Sequence, residues 1–324
     1  MTRYVLRRLV ESLPLLLVVS ATVFALLQAS PGSPLAQLER DPSITQADIA
    51  RLMEERGLND PWLVQYSRWL GGAVRGDFGA SLQTGRPVMT EVLERVPNTA
   101  LLVGVAFVVT LIVAIPTGVL SAVRQYSVFD HVVTTLTFMG QSVPVFWLGL
   151  LLILVFYVGL SNPFTGGPLF PAGGMYSLGR EGVFADRVWH LVLPVIMLAS
   201  TWVAWYTRFL RASMLDVLRL DYVRTARAKG LVERVVVYRH ALRNAAMPLI
   251  TLIGLDLPLV FSGALFTETI FSWPGMGRLF FQSALRRDYP VLMAIVMLTS
   301  ALIVVANLLA DLAYAAVDPR ITYD

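Results

Sequence analysis

Residues 221–248 read DYVRTARAKGLVERVVVYRHALRNAAMP and form the longest charged segment of an otherwise apolar chain. Six basic residues stand in this segment against two acidic ones. Asp221 can cap the free N–H groups of a short helix, and Gly230 can adopt the left-handed turn that ends it. Two turns of helix with an apolar edge of Tyr222, Val223 and Ala226 are not stable alone in water. We therefore predict that this helix docks on another protein, and a basic helix resting on anionic lipid is the alternative.

The composition is that of a membrane protein. Of 324 residues, 56% are hydrophobic and 15% are charged, whereas a soluble domain carries about 25% charged residues. Long uncharged runs alternate with compact charged ones, as in chains that cross a bilayer several times. The net charge of +4 does not indicate a nucleic-acid partner, because the basic residues lie beside apolar spans, where they set orientation. We predict an all-α integral membrane protein in contact with membrane lipid.

Six apolar runs are long enough to cross a membrane. An even number places both termini and the segment 221–248 on one side, which the excess of basic residues identifies as the cytoplasm. Three arginines in a predicted outer loop, Arg278, Arg286 and Arg287, oppose this orientation. The first run could also be a signal peptide, but prolines follow it without a clear cleavage site, which favours an uncleaved span. The predicted spans are about 13–29, 99–122, 132–160, 189–209, 249–271 and 290–315.

The polar region after the first span is predicted to lie outside the membrane. Its acidic residues outnumber its basic ones, which suits the outer side. Thr45 and Asp48 resemble a capping box, and Trp62, Tyr66 and Trp69 indicate a second amphipathic helix rather than a disordered linker. The predicted organisation is a cytoplasmic segment with the first span (1–30), an external region (31–97), a transmembrane core (98–315) with a cytoplasmic loop (211–248), and a cytoplasmic tail (316–324).

The residue inventory argues against catalysis by this chain. It has no cysteine and three widely separated histidines, so no metal-ligand spacing or nucleophile motif is evident. Lys229 is the only lysine, and no glycine-rich phosphate loop precedes it. We predict a non-catalytic protein without a cofactor or metal of its own, so that any ATP is hydrolysed by another polypeptide.

Two acidic residues in the fifth predicted span are candidates for a translocation path. An ionised Asp256 near the middle of a bilayer costs about 2.5–3.5 kcal/mol, so it should face a cavity or a partner, or be protonated. A hydrogen bond between helices is the structural alternative, and it is the stronger one for Glu268, which lies near the end of the span. Prolines within the first five spans indicate bent helices: Pro14, Pro116, Pro144, Pro194 and Pro258.

The segments DYVRTARAKGL and RHALRNAAMP resemble the EAA loop of integral-membrane permeases of ATP-binding-cassette importers. Four further segments resemble the oligopeptide/dipeptide branch of that family, so the resemblance covers nearly the whole chain. This chain departs from the general Glu-Ala-Ala…Gly pattern, because it carries Arg224, Thr225, Ala226 and Gly230 at those positions. The four segments are MTRYVLRRL, RGDFGASL, TETIFSWPGMGRLF and DLAYAAVDPRI.

The resemblance implies a type I importer permease with six spans, an external insertion after the first span and a cytoplasmic coupling helix. It implies a bacterial inner-membrane complex that imports di- or oligopeptides, with a second homologous permease and an extracytoplasmic substrate-binding protein. Two cytoplasmic ATPase subunits would hold ATP and Mg²⁺. A stand-alone channel or a proton-coupled carrier remains the alternative. The residues that the resemblance assigns to ATPase contact are Asp221, Tyr222, Arg224, Thr225, Ala226, Lys229 and Gly230.

Overall fold

The computed structural model describes residues 2–35, 44–256 and 264–317, and the regular structure in these ranges is helical apart from two isolated β-bridges. The predicted proline Pro258 and the tail 318–324 lie outside the described residues. The helices are α1 (Thr2–Ala29), α2 (Gln46–Glu55), α3 (Trp62–Ala73), α4 (Val88–Val123), α5 (Val128–Ser142), α6 (Val145–Ile153, continued by a π-helical turn Leu154–Gly159), α7 (Phe184–Leu218), α8 (Asp221–Ala228), α9 (Glu233–Val235, continued by a π-helical turn Val236–Ala241), α10 (Leu242–Ala245), α11 (Met247–Asp256), α12 (Leu265–Ile270), α13 (Met276–Arg286) and α14 (Tyr289–Val317).

Four of the described helices are individually long and apolar enough to cross a membrane: α1, α4, α7 and α14. The pair α5–α6 counts as a fifth span if the two helices are taken together. The predicted fifth span, 249–271, includes residues 257–263, which lie outside the described ranges between α11 and α12. The described residues therefore support four or five of the predicted spans, and the count of six stays a prediction.

The predicted third span, 132–160, is a bent pair of helices rather than a single rod. The pair α5 and α6 meets at an angle of 103°. The bend lies at Val143, whose backbone is extended (ψ 124°), immediately before Pro144. Proline disfavours the helical conformation of the preceding residue and lacks the N–H that would continue the ladder. By contrast, Pro14 and Pro194 lie inside helices that continue through them.

The first compact unit comprises residues 1–99, 261–265 and 274–324. In it α1 packs against α14, and α3 contacts α1 through a hydrogen bond between the Ser20 and Tyr66 hydroxyls (2.9 Å) and one from the Gln28 amide to the Gln65 side-chain oxygen (2.8 Å). The capping box predicted at Thr45 is confirmed at the start of α2, and the second amphipathic helix is confirmed as α3. The apolar core of this unit consists of Val88, Val92, Met276, Leu279, Val291, Ala294 and Ile295.

A buried carboxylate fixes the loop that precedes α4 in this unit. Asp288, only 3% exposed, accepts hydrogen bonds from the Ser81 hydroxyl and from the Leu82 backbone N–H (3.1 Å). These bonds join segments more than 200 residues apart in the chain. The loop is therefore held by one side chain rather than by regular secondary structure.

We expect Asp288→Ala to destabilise the protein by about 1–3 kcal/mol for each donor left without an acceptor, because both donors are buried. Thermal unfolding in detergent should show a lowered melting temperature. Asp77→Ala is the matched control, since Asp77 is exposed and its side chain accepts one hydrogen bond from the described residues, the Gly79 N–H (2.8 Å). Equal melting temperatures for the two variants would contradict the prediction.

The second compact unit comprises residues 100–260 and 266–273. Here α5 and α6 pack against α7. Gly118 allows the close approach of α4 to α7, because a Cβ at this position would lie 3.0 Å from the Thr207 carbonyl oxygen. The largest buried cluster of this unit surrounds the C-terminal half of α7 and contains Ala114, Val119, Ala122, Tyr206, Leu210, Met214, Val237, Ala241, Ala245 and Leu249.

Candidate functional site

The predicted coupling segment forms helix α8, which ends as the sequence indicates. Gly230 has a φ of +76°, and its N–H donates to the Arg227 carbonyl at 2.9 Å. The Leu231 N–H donates to the Ala226 carbonyl at 3.4 Å. This pair of bonds is the Schellman motif, in which a left-handed residue closes the helix. At the other end the sequence prediction was wrong by one residue, because Leu220 is the N-cap and makes no side-chain cap.

The position of Asp221 nevertheless suits the start of a helix. It lies in the first turn of α8, where a carboxylate interacts favourably with the helix dipole. Within the helix, the Thr225 hydroxyl donates to the Asp221 carbonyl oxygen at 2.9 Å. Local sequence thus predicts the C-terminal end of α8, whereas at the N-terminal end Asp221 contributes through its charge and not as the cap.

One face of α8 is seated on the same chain. Val223 is fully buried and Ala226 is 6% exposed, and both pack against Val236, Val217 and Leu218. The sequence predicts that this apolar edge needs a socket on another protein, whereas the structure supplies its socket from the end of α7 and from the segment after α8. The cause is a long-range contact that helical periodicity does not reveal.

Tyr222, at the border of this seat, is partly exposed and hydrogen-bonded within the chain. The Asn244 side-chain amide donates to its hydroxyl oxygen at 2.7 Å. Asn244 lies in α10, so the aromatic ring connects α8 to the segment that leads into α11. The position of α8 is therefore fixed by one apolar cluster and one polar contact.

The opposite face of α8 is exposed and carries cationic and polar side chains. Arg224 and Asp221 are 3.5 Å apart, but their side chains are 75% and 96% exposed, so this ion pair stabilises the helix only weakly. Thr225, Lys229 and Gly230 are exposed as well. We call Asp221, Arg224, Thr225, Lys229 and Gly230 the α8 face, a short exposed surface that carries charged groups.

An ion pair braces the turn after α8. Arg227 donates to both carboxylate oxygens of Glu233, at 2.8 and 3.2 Å, and so connects α8 to the first residue of α9. The Arg227 hydrogen bonds lower the pKa of Glu233, and Glu233 in turn raises the pKa of Arg227. Both side chains are about half exposed, so the pair contributes roughly 0.2–1 kcal/mol.

We expect this brace to fail in acid. Because the folded pKa of Glu233 is lowered, its contribution is complete above the ordinary glutamate pKa of about 4.3 and is lost as the pH falls through the folded value. Amide hydrogen exchange of residues 221–236 should then be faster relative to the rest of the chain at low pH. Glu233→Gln, compared at each pH, should exchange faster near neutrality and approach the unsubstituted protein in acid. Exchange that is identical in both proteins at neutral pH would contradict this expectation.

Helix α8 follows α7 after two residues, and α7 is tied to α5 by a buried ion pair. The Arg211 guanidinium donates to both oxygens of Asp130 at 2.6 and 2.7 Å, and Asp130 is 3% exposed. Asp130 also accepts the Tyr126 backbone N–H at 3.0 Å. Arg211 lies ten residues before Asp221, about 15 Å along a helix axis. The pair therefore connects the C-terminal part of α7, which leads into α8, to the start of α5.

The two predicted path residues lie in different environments. The Tyr206 hydroxyl donates to the Asp256 carboxylate at 2.7 Å, and Asp256 is only partly exposed. Glu268, at 0% exposure, is fully buried, so its carboxylate does not contact solvent in this conformation. A role for either residue in a translocation path stays a prediction. Within the described ranges, no group of three His, Asp or Glu side chains is arranged to hold a metal ion.

Sequence reasoning did not single out the pair Asp130–Arg211 or the neighbouring Arg208. Arg211 is 81 positions from Asp130 and Arg208 is 67 positions from Gln141, and no local pattern joins either pair. One signal was present: Arg208 is the first charged residue after the uncharged run 188–207. A cation at that place is unusual enough to be examined for a partner.

Sequence comparison identifies related proteins over the full length of this chain. Residues 114–323 match the family described as binding-protein-dependent transport system inner membrane component, and residues 1–103 match the N-terminal part of the same kind of component. The chain is 47% identical over 324 residues to the oligopeptide transport system permease protein AppB of Bacillus subtilis, with both chains covered fully. It is 38% identical over 340 residues to the dipeptide transport system permease protein DppB of Escherichia coli K12, covering 100% of this chain and 99% of the relative. DppB of Alkalihalophilus pseudofirmus is 37% identical over 337 residues, with full coverage of both.

Proposed function

We propose that this chain couples ATP hydrolysis to peptide import through the α8 face. The premise is that the chain belongs to the family of binding-protein-dependent transport system inner membrane components. The chain is a multi-pass inner-membrane protein and the permease subunit of a peptide importer. The finer proposal concerns its partners, its orientation and the residues that transmit force. Its cargo would be a di- or oligopeptide, as the names of its relatives indicate.

One observation carries the proposal. Helix α8 is held on its own chain by Val223 and Ala226. On its opposite, charged face, the side-chain ion pairs and hydrogen bonds among the described residues are the Asp221–Arg224 pair and the Thr225 bond, both within the helix. A short helix that is rigidly seated and exposed on the other side is suited to transmit a displacement. Arg224 and Lys229 would favour an acidic groove on the partner.

The proposed assembly has four further members. A second homologous permease completes the pathway, two cytoplasmic ATPase subunits hold ATP and Mg²⁺, and an extracytoplasmic binding protein delivers cargo. Both termini and α8 lie on the cytoplasmic side. This chain performs no covalent chemistry. ATP binding closes the ATPase pair, and closure must favour one permease conformation through a difference in binding free energy.

The residues predicted for ATPase contact take two roles in this proposal. Asp221, Arg224, Thr225, Lys229 and Gly230 form the surface that the ATPase grips. Tyr222 and Ala226 hold that surface in place, because Ala226 is buried in the chain's own cluster and the Tyr222 hydroxyl is bonded to Asn244. Asp256 and Glu268 are proposed for the pathway, in a conformation other than the one described.

Cross-linking tests the docking directly, because the chain has no cysteine and an introduced thiol is therefore unique in it. In the assembled complex, Thr225→Cys should cross-link to an ATPase subunit. Leu178→Cys is the control, since this residue is 100% exposed in the predicted outer loop. A cross-link from position 178 and none from position 225 would overturn both the orientation and the docking.

Transport by purified components separates the proposal from its alternative. Proteoliposomes with both permeases, both ATPases and the loaded binding protein should import labelled peptide only with ATP and Mg²⁺. The permease alone should import nothing. Import by the lone chain, driven by a proton gradient or by the peptide gradient, would identify a carrier or a channel instead.

A further inference from the structure

Two arginines one turn apart on α7 are directed to opposite ends of α5. Arg211 binds Asp130, the third residue of α5, whereas Arg208 donates from Nη2 to the Gln141 side-chain oxygen near the end of that helix. Asp130 and Gln141 are eleven residues apart, about 16 Å along α5. The guanidinium of Arg208 therefore lies beside the bend between α5 and α6, and not beside the acidic residue at the start of α5.

The charge of Arg208 has no countercharge among the residues that the structure describes. No carboxylate forms an ion pair with it in those ranges, and its hydrogen-bond partner Gln141 is neutral. Its Nε is buried and has no described acceptor. The guanidinium carbon stands 4.9 Å from the centre of the Phe138 ring. Because arginine stays protonated and charge is costly at the edge of an apolar span, this group favours an arriving anion.

The surface beside Arg208 is exposed and mixes aromatic with polar side chains. Phe138, Phe146 and Trp147 are about half exposed on the two sides of the bend, and Gln141 and Ser142 are exposed at the bend itself. The Ser142 hydroxyl already donates to the Phe138 carbonyl at 2.9 Å. Hydrocarbon chains of lipid would, however, leave the Arg208 charge without a countercharge and its Nε–H without an acceptor. A ligand that carries both an anionic group and apolar groups satisfies the whole surface.

We infer that Arg208 and Gln141 form a subsite for the C-terminal carboxylate of the transported peptide. The guanidinium supplies countercharge and further N–H donors in the planar arrangement that suits a carboxylate. Phe138, Phe146 and Trp147 contact the apolar side chains of the peptide. The inference rests on the proposed function, because it takes the cargo to be a peptide. The phosphate of an anionic lipid headgroup has the same anion chemistry and is the rival ligand.

The test compares two cargoes in the complete complex. ATP-dependent uptake is measured for a peptide with a free C-terminus and for its C-terminal amide, at concentrations where the unsubstituted complex imports both. Arg208→Gln should lower uptake of the free acid at least tenfold and of the amide less than twofold. Arg208→Lys should lie between, because it retains the charge without the planar group. Any preference of the binding protein cancels, since each variant is compared with the unsubstituted complex on the same cargo.

Control variants and a change of lipid distinguish a peptide subsite from a lipid site and from a purely structural role. Arg124→Gln removes an exposed arginine from the loop before α5 and should affect both cargoes little and equally. If Arg208→Gln impairs assembly, Gln141→Leu serves as the second variant and should show the same preference against the free acid. Equal losses for both cargoes, or no loss, would overturn the inference. A defect that disappears in vesicles of phosphatidylcholine without phosphatidylglycerol, for both cargoes, would assign the subsite to lipid. A complex that imports no peptide at all would refute the proposed function itself.

Discussion

Gly230→Val should reduce ATP-dependent uptake at least tenfold while the complex still assembles. Gly230 has a φ of +76°, in the region where residues with a Cβ cost about 1–2 kcal/mol and β-branched residues cost more. A Cβ at this position meets no atom within 4 Å, so the penalty arises from the backbone and not from a clash. Valine should therefore break the two closing bonds of α8, which run from Gly230 to Arg227 and from Leu231 to Ala226. Under the proposed function, the loosened helix end would no longer transmit a displacement from the ATPase.

Gly179→Val is the matched control for this experiment. Gly179 has a φ of +75° and also has no atom within 4 Å of a Cβ, but it lies in the loop before α7, on the predicted outer side. The two substitutions carry the same intrinsic backbone penalty, so a difference in uptake reports the role of the site. ATP hydrolysis is measured in parallel, and hydrolysis should continue in the Gly230 variant without matching uptake. Similar uptake by both variants would show that α8 is not the coupling element.

The parts of the candidate site that depend on residues close together in the sequence could be predicted from it. The left-handed turn at Gly230 and the two-turn length of α8 follow from local chemistry, and both are observed. The burial of Val223 against Val236 could not be predicted, because Val236 is thirteen residues away. The turn after α8 returns the chain to α8 at the start of the π-helical segment. The cap was assigned to Asp221 instead of Leu220 for a related reason, since an N-cap without a side-chain bond leaves no mark in the sequence.

In the membrane-spanning part, too, the features set by local composition could be predicted and those set by helix packing could not. Apolar runs predict α1, α4, α7 and α14, because a helix that spans hydrocarbon needs a length of apolar residues that composition reveals directly. Pro144 indicates a perturbation in the third span, but a bend of 103° depends on how α5 and α6 pack against α7. The ion pair of Asp130 with Arg211 joins residues 81 positions apart, and only the packing of the two helices brings them together.

That ion pair supports the second large expected effect. Asp130→Ala should destabilise the protein by about 3–5 kcal/mol, the cost of leaving one member of a buried pair alone. The value should fall toward the lower limit, because the Arg211 side chain is 25% exposed and regains some hydration. The substitution also removes the acceptor of the Tyr126 N–H at the start of α5. Denaturant titration in detergent micelles measures the change in the free energy of unfolding.

A double-substitution cycle separates the attraction between the two charges from the other contacts of Asp130. Arg211→Ala in the Asp130→Ala background should cost much less than Arg211→Ala alone, because the remaining charge then has no partner to lose. Glu94→Ala is the control, since Glu94 pairs with Arg86 at 2.6 Å while both side chains are about half exposed, and its loss should cost at most about 1 kcal/mol. If the costs of the two Asp130 and Arg211 substitutions simply add, the pair contributes nothing as a pair. Helix α5 would then be held to α7 by its other contacts, among them the hydrogen bond from Arg208 to Gln141.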